Sequence, residues 1–203
     1  MKKKALLILN GEIKNKSLAK NLVKSNDLII ATDGSYDKIA KLNIVPDIIM
    51  GDLDSISSIP KNIRIIKKTN QNESDFEKAL IWLKKNNYSE ISIVGITGGR
   101  TDHLFINFAL VYKYFQELNL TIYANNEIIR ILTPDKYMIN GEKNDLFSIL
   151  ALPKAKNLII KGAKYSINEK EFEIGSQGLS NEFLSNNIEI SFTSGLIAFI
   201  KSQ

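Results

Sequence analysis

At Asn125-Asn126 the chain changes rhythm. Upstream, short apolar runs alternate with stretches of helical periodicity; downstream, β-rich runs follow one another, with no amphipathic helix from Glu127 onward. The upstream runs are Ala5–Leu9, Leu28–Ala31, Asp47–Met50, Ile63–Ile66, Ile91–Val94 and Leu120–Ala124. Helices are expected at Leu18–Ser25, Tyr36–Leu42, Asp75–Asn86 and Asp102–Leu118. Strands separated by helices imply an α/β arrangement, a mostly parallel sheet with helices on both faces. The downstream runs are Ile128–Leu132, Tyr137–Ile139, Phe147–Leu152, Leu158–Lys161, Glu171–Ile174, Ile188–Phe192 and Leu196–Lys201. Their regular spacing suggests a small antiparallel sandwich or barrel, and Asn140-Gly141 reads as a hairpin turn because both residues tolerate positive φ. The expectation is therefore two domains, residues 1–125 and 126–203. Ser74-Asp75-Phe76-Glu77 opens the third helix as a capping box.

Few kinds of chemistry remain open to this chain. With no cysteine and a single histidine, disulfides, thiolate zinc sites, a cysteine nucleophile and multi-histidine metal sites are excluded. A bound metal must sit among oxygen ligands, which suits Mg²⁺, Mn²⁺ or Ca²⁺. The apolar run after Lys2-Lys3-Lys4 ends at once in Asn10-Gly11-Glu12, so it reads as a buried first strand and not as a signal peptide. No run is long enough to span a membrane, and a cytoplasmic location is expected. The net charge of +5 comes from lysines scattered along the chain, a solvated surface more than a nucleic-acid footprint.

In doubly wound sheets, ligands bind at the carboxyl ends of the strands, and four polar clusters fall at expected strand ends. Gly51-Asp52-Leu53-Asp54-Ser55 carries the most chemistry. In extended backbone Asp52 and Asp54 point the same way and can share a hard cation; otherwise they cap the next segment. Asp33-Gly34-Ser35 is either a second acidic turn or an ordinary helix start. Gln71-Asn72-Glu73-Ser74-Asp75 lies beyond the fourth strand. Gly98-Gly99-Arg100-Thr101-Asp102-His103 offers backbone amides and a fixed cation to phosphate, or simply a turn with Asp102 as cap. His103 reads as a hydrogen-bonded structural group and Trp82 as core. Ser176-Gln177-Gly178-Leu179-Ser180-Asn181-Glu182 supplies neutral donors and acceptors, or a plain surface loop.

In this order, Asp33-Gly34, Pro46-Asp47 leading into GDLDS, Ser74-Asp75 with Glu77-Lys78-Ala79-Leu80, GGRTDH and Gly178-Leu179-Ser180-Asn181 resemble the thiamine pyrophosphokinase (thiamine diphosphokinase) family over nearly the whole chain. The resemblance implies transfer of a diphosphoryl group from Mg²⁺–ATP to the hydroxyl of thiamine, giving thiamine diphosphate and AMP. It implies an α/β nucleotide-binding domain, a C-terminal antiparallel β-sandwich that binds thiamine, and a homodimer with the active site in a cleft between subunits. By motif, Asp52, Asp54 and Asp75 would hold Mg²⁺ and the polyphosphate, with Asp33 a further acidic member and Gln71 and Ser74 flanking. Gly98, Gly99, Arg100 and Asp102 would line the nucleotide end; Ser180 and Asn181 would meet thiamine. Asp75 or Asp33 would orient or deprotonate the hydroxyl. The chain departs from the family pattern at Ser35, where a glycine is usual, at Asn72, where many members carry aspartate, and at Ser166, where a proline is usual. The alternatives are a diphosphokinase for another small alcohol such as a pterin, a non-catalytic nucleotide-sensing module, or a nucleic-acid binder.

Overall fold

The computed structural model describes residues 2–56 and 62–202, and the chain divides into two compact units, Met1–Asn126 and Glu127–Gln203. The first contains β1 (Lys3–Ile8), α1 (Lys16–Ser25), β2 (Leu28–Thr32), a 3-10 turn (Asp33–Ser35), α2 (Tyr36–Ala40), β3 (Ile48–Gly51), β4 (Arg64–Lys67), α3 (Asp75–Lys85), β5 (Tyr88–Val94), α4 (Thr101–Tyr114) and β6 (Asn119–Ala124). Its strands pair in the order β4-β3-β2-β1-β5-β6, all parallel. The unbroken apolar runs of β1, β2 and β3 follow, since both faces of a parallel sheet are covered. Leu6 and Ile8 of β1 pack with Ala19 and Leu22 of α1 and Ile39 of α2. Leu7 alternates to the opposite face, which α3 and α4 cover because the chain reverses its winding direction at β5. That reversal opens a crevice between the carboxyl ends of β1 and β5.

Local chemistry sets the helix ends. Asn15 Oδ1 accepts the Leu18 amide at 2.9 Å and starts α1. Asn43, at φ 56°, follows the short α2, which stops two residues before the expected end. Ser74 Oγ accepts the Glu77 amide at 3.2 Å and caps α3. The expected reciprocal half of the capping box gives way to tertiary contacts, because Glu77 Oε1 instead accepts from Lys113 at 2.6 Å and Tyr114 at 3.2 Å on α4. Trp82, expected in the core, is half-buried and stacks on Tyr88 with ring centroids 6.3 Å apart. Among the described residues no helix is long and apolar enough to cross a membrane.

The second unit contains β7 (Glu127–Leu132), β8 (Lys136–Asn140), β9 (Leu146–Lys161), β10 (Ile167–Glu173), β11 (Asn181–Glu182), β12 (Asn187–Ser191) and β13 (Ser194–Ser202), and every pairing within it is antiparallel. Two expected strands, Phe147–Leu152 and Leu158–Lys161, fuse into the 16-residue β9, because Ala155 keeps an inward position between the exposed Lys154 and Lys156. Asn140-Gly141 is not a two-residue hairpin. β8 pairs with β12, and Gly141 takes no positive φ. A side chain at Gly141 would strike the Phe183 ring at 2.7 Å, so the glycine makes room for packing.

The core of this unit is built on Phe147, which meets Phe183 edge-on at 5.3 Å and Phe199 at 5.8 Å. Phe147→Ala is expected to lower the unfolding free energy by about 3–5 kcal/mol, the usual cost of emptying a buried aromatic site. Chemical denaturation followed by circular dichroism measures it.

Candidate active site

The carboxyl edge of the parallel sheet encloses a cavity of about 340 Å³. Thr32, Asp33 and Gly34 reach it from β2, Asp52 and Ser55 from β3, and Gln71, Ser74, Asp75 and Lys78 from the start of α3. Leu9, Asn10 and Gly11 line it from the end of β1, Gly95 and Ile96 from β5, and Gly99, Arg100, His103 and Asn107 from α4 and the turn before it. Where β1 and β5 part, their backbones cross closely. Gly11 N–H donates to the Gly95 carbonyl at 2.7 Å, and a Cβ on Gly11 would lie 2.3 Å from that oxygen.

Asp33 anchors the acidic side. It is 3% exposed, and its two oxygens accept the backbone amides of Gly34 at 2.6 Å and Leu53 at 2.9 Å. The β3 end is thereby tied to the β2 end. The approach is close enough that a Cβ on Gly51 would sit 2.5 Å from Asp33 Cγ. Leu53, at φ 73°, holds a left-handed conformation that non-glycine residues adopt at a cost of about 1–2 kcal/mol. Asp52 and Asp54 are consequently brought together by a tight turn and not by strand alternation as expected; the Asp54 amide lies 3.4 Å from Asp52 Oδ1. Oxygens of Asp33, Asp52 and Asp54 lie within 4.8 Å of one another, an all-oxygen set that fits a hard divalent cation.

The carboxylates differ in affinity for protons. Burial, and then the negative charge of Asp75, push Asp33 up to about 6 against the pull of its two amide donors. Asp52 is held below the usual carboxylate range, first by the Asp54 amide and then by side-chain hydrogen bonds with Asp54, Asp33 and Gln71. Without a cation, Asp33 is therefore the first of these two carboxylates to take up a proton as pH falls, and Asp52 the last.

Asp75 opens α3 beside Asp33, and Lys78 Nζ donates to its Oδ1 at 2.9 Å. Ser74 lines the cavity, and its Oγ accepts the helix-cap amide while its O–H keeps the capacity to donate. At the other end, Gly98 turns the backbone at φ 78°. Asp102 accepts from Arg100 Nε at 3.1 Å and from the His103 amide at 2.9 Å, so it orients the arginine. Arg100, the residue before α4, makes no side-chain cap, so the Thr101 and Asp102 amides can receive an anion next to the guanidinium, while the His103 amide is held by Asp102. Ser35, fully buried, donates to the Thr32 carbonyl at 2.7 Å and the Ile8 carbonyl at 3.1 Å, so its hydroxyl ties the acidic turn to β1. In the β unit, Ser180 is exposed at φ 54°, while Asn181 is buried and committed to backbone. Its Oδ1 accepts from Tyr165 at 3.0 Å and Glu182 at 2.9 Å, and its Nδ2 donates to the Tyr165 carbonyl at 2.7 Å.

Asp33, Asp52, Gln71, Ser74, Asp75, Gly99 and Arg100 thus share one cavity, with Asp54 joined to it through the carboxylate cluster. Gly98 and Asp102 support the turn behind it, and Ser180 and Asn181 belong to the other unit. Asn10, Gly11, Lys78 and Asn107 were not anticipated as lining. For Asn10-Gly11 a signal existed, a polar glycine-bearing pair directly after the first strand; for Lys78 it was only the i, i+3 spacing from Asp75.

A doubly wound sheet with clustered carboxylates, an arginine and a helix start around its crevice suits the phosphotransferase class. Residues 19–124 match the thiamin pyrophosphokinase catalytic domain, and residues 132–197 match the thiamin pyrophosphokinase vitamin B1 binding domain. The chain belongs to the thiamin pyrophosphokinase family. It is 28% identical over 188 residues to a thiamine pyrophosphokinase of Bacillus subtilis (strain 168), covering 86% of this chain and 87% of the relative. Its fold is similar to a crystal structure of the Bacillus subtilis thiamine pyrophosphokinase, with TM-score 0.84, 24% identity and 99% of each chain covered. It is also similar to the thiamin pyrophosphokinase from Geobacillus thermodenitrificans, with TM-score 0.83, 21% identity and 98% and 97% covered.

The sign of the Asp33 shift gives a prediction. Its pKa is about 6 in the folded chain against 3.8 for a free aspartate. The folded state therefore binds more protons than the unfolded one between these values, and stability falls as pH rises through that window. In EDTA, the Asp33 contribution is expected to lower the denaturation midpoint between pH 4 and 6, and Asp33→Asn to remove that part of the slope. Urea titrations at several pH values check it.

Proposed function

We propose that the chain transfers a diphosphoryl group from Mg²⁺–ATP to the hydroxyl of thiamine, releasing AMP and thiamine diphosphate. The carrying observation is the oxygen-only cluster of Asp33, Asp52 and Asp54 at the crevice of a sheet whose sequence matches the family's catalytic domain. Asp52 and Asp54, with Asp33 behind them and Asp75 at the edge, would hold Mg²⁺. The ion, when bound, neutralises charge on the polyphosphate and polarises it. Gln71 and Ser74 flank this end, and Gly98, Gly99, Arg100 and Asp102 receive the nucleotide phosphates, Arg100 supplying a charge that is never lost. The hydroxyl oxygen forms a bond to the β-phosphorus as the bond from that phosphorus to the oxygen bridging it to the α-phosphorus breaks. AMP leaves with the bridging oxygen, and the hydroxyl proton passes to Asp75 or Asp33. Catalysis of this kind consists mainly of positioning and charge stabilisation.

The β unit, matching the vitamin B1 binding domain, is assigned thiamine. Ser180 would contact it directly, while Asn181, committed to Tyr165, fixes the loop and keeps one amide hydrogen for the ligand. A homodimer and a cytoplasmic location complete the reading. The dimer is supported by the outer face of α4, where Phe105, 74% exposed, stands with Ile106, Phe108 and Tyr112. Apolar groups spaced along one helix face suit a second copy of the chain.

Incubation with ATP, Mg²⁺ and thiamine should give AMP and thiamine diphosphate in equal amounts, with no AMP when thiamine is omitted; AMP formation indifferent to thiamine would sink the assignment. Asp52→Asn should reduce Mg²⁺-dependent AMP formation by about 10²-fold or more while leaving the circular dichroism spectrum unchanged. Phe105→Glu should shift the mass measured by light scattering from dimer to monomer.

A further inference from the structure

Lys78 is the one basic residue among the buried polar groups of the described chain, at 4% exposure. It lies on the first turns of α3, its stem packed inside the protein and its ammonium at the wall of the acidic cavity. Burying an ammonium costs several kcal/mol, and an ion pair inside a protein often returns no net stability. Lys78 Nζ donates to Asp75 Oδ1 at 2.9 Å, while Asp75 itself remains partly open to the cavity. Asp75 lines the same cavity as Asp33, and its negative charge raises the proton affinity of Asp33. Two carboxylates thus share the cavity wall beside the Asp52–Asp54 cluster, and Lys78 is the buried cation bonded to one of them.

We infer that Lys78 is a positioning residue for the transfer reaction: its ammonium holds Asp75 by one oxygen against the repulsion of Asp33 and leaves the other oxygen to face the substrates. Three features of the geometry fit this role. The i, i+3 spacing on α3 lets Lys78 follow Asp75 as a rigid body. The Ser74 cap fixes the first turn, so the carboxylate can be set by a single further bond. The ammonium is compact and donates in three directions, so holding Asp75 does not require a large opening in the wall. Where Mg²⁺ would neutralise the cluster from the solvent side, Lys78 does so from the protein side, before substrate arrives.

The inference rests on the proposed transfer reaction, and its test separates the two. Wild-type AMP formation reports on the reaction alone. Lys78→Met keeps the stem and removes the charge. In metal-free protein, Lys78→Met should lower the urea midpoint, and should lower it less when Asp75 is already Asn; this coupling reads the ion pair without any substrate. In the assay, Lys78→Met should lower kcat about 10-fold or more with thiamine KM changed less than about 3-fold. Adding Lys78→Met to Asp75→Asn should cost little further, since the lysine acts through the aspartate. A folded Lys78→Met enzyme with wild-type kcat would overturn the inference and leave the lysine purely structural. Multiplicative losses in the double variant would overturn it too, because the lysine would then act on substrate independently of Asp75.

Discussion

Everything at the carboxyl edge of the sheet hangs on the buried Asp33 carboxylate. Its two oxygens accept amides from opposite sides, Gly34 in its own turn and Leu53 in the turn after β3. A carboxylate at 3% exposure must find such donors or take a proton, and here the two donors only partly offset the burial that raises its pKa to about 6. Its demand for the Leu53 amide fixes the left-handed turn that swings Asp52 and Asp54 toward each other. Gly51 follows from the same demand, since no side chain fits between that backbone and Asp33. Ser35 holds the arrangement from behind by tying the turn to the last carbonyl of β1.

The parallel sheet could be read in the sequence because burial on both faces makes each strand an unbroken apolar run. The runs beginning at Ala5, Leu28 and Leu120 each locate a strand, and the loss of helical periodicity after Asn125 locates the start of the antiparallel unit. Less legible were features that depend on partners far away in the chain. The length of β9 is decided by its neighbours β10, β12 and β13, and Asn140-Gly141 carried a turn signature while its glycine answers to Phe183. Glu77 likewise fitted a local capping box and was claimed by Lys113 and Tyr114 of α4.

The site divides in the same way. Asp52, Asp54, Asp33, Asp75 and Arg100 announced themselves as charged residues at strand ends, and they do gather at one edge. Their geometry was hidden, because residue spacing describes an extended strand and cannot foresee a left-handed Leu53. Lys78 was hidden for another reason: a lysine in an amphipathic helix is normally solvated, and only packing shows it turned inward. Asn181 looked like a ligand group, yet most of its amide is engaged with the backbone of Tyr165. A polar side chain in a loop can serve the loop first and the ligand through it.

A metal-free site of this composition holds more negative charge than its surroundings neutralise, and its stability falls accordingly. Asp33 binds a proton more readily than a free aspartate, Leu53 sits in a costly conformation, and Asp75 leans on a buried ammonium. Each is a local conflict that the core on both faces of the sheet can tolerate. A divalent cation joined to a polyphosphate would ease the repulsion among these carboxylates, lowering the proton affinity of Asp33 and screening Asp75. Ligand binding should then tighten the turn after β3 and the start of α3 as one element, because both report to the same carboxylate. The acidic edge is in this sense completed by its substrate: the strain stored without it becomes part of the differential affinity that favours the loaded state.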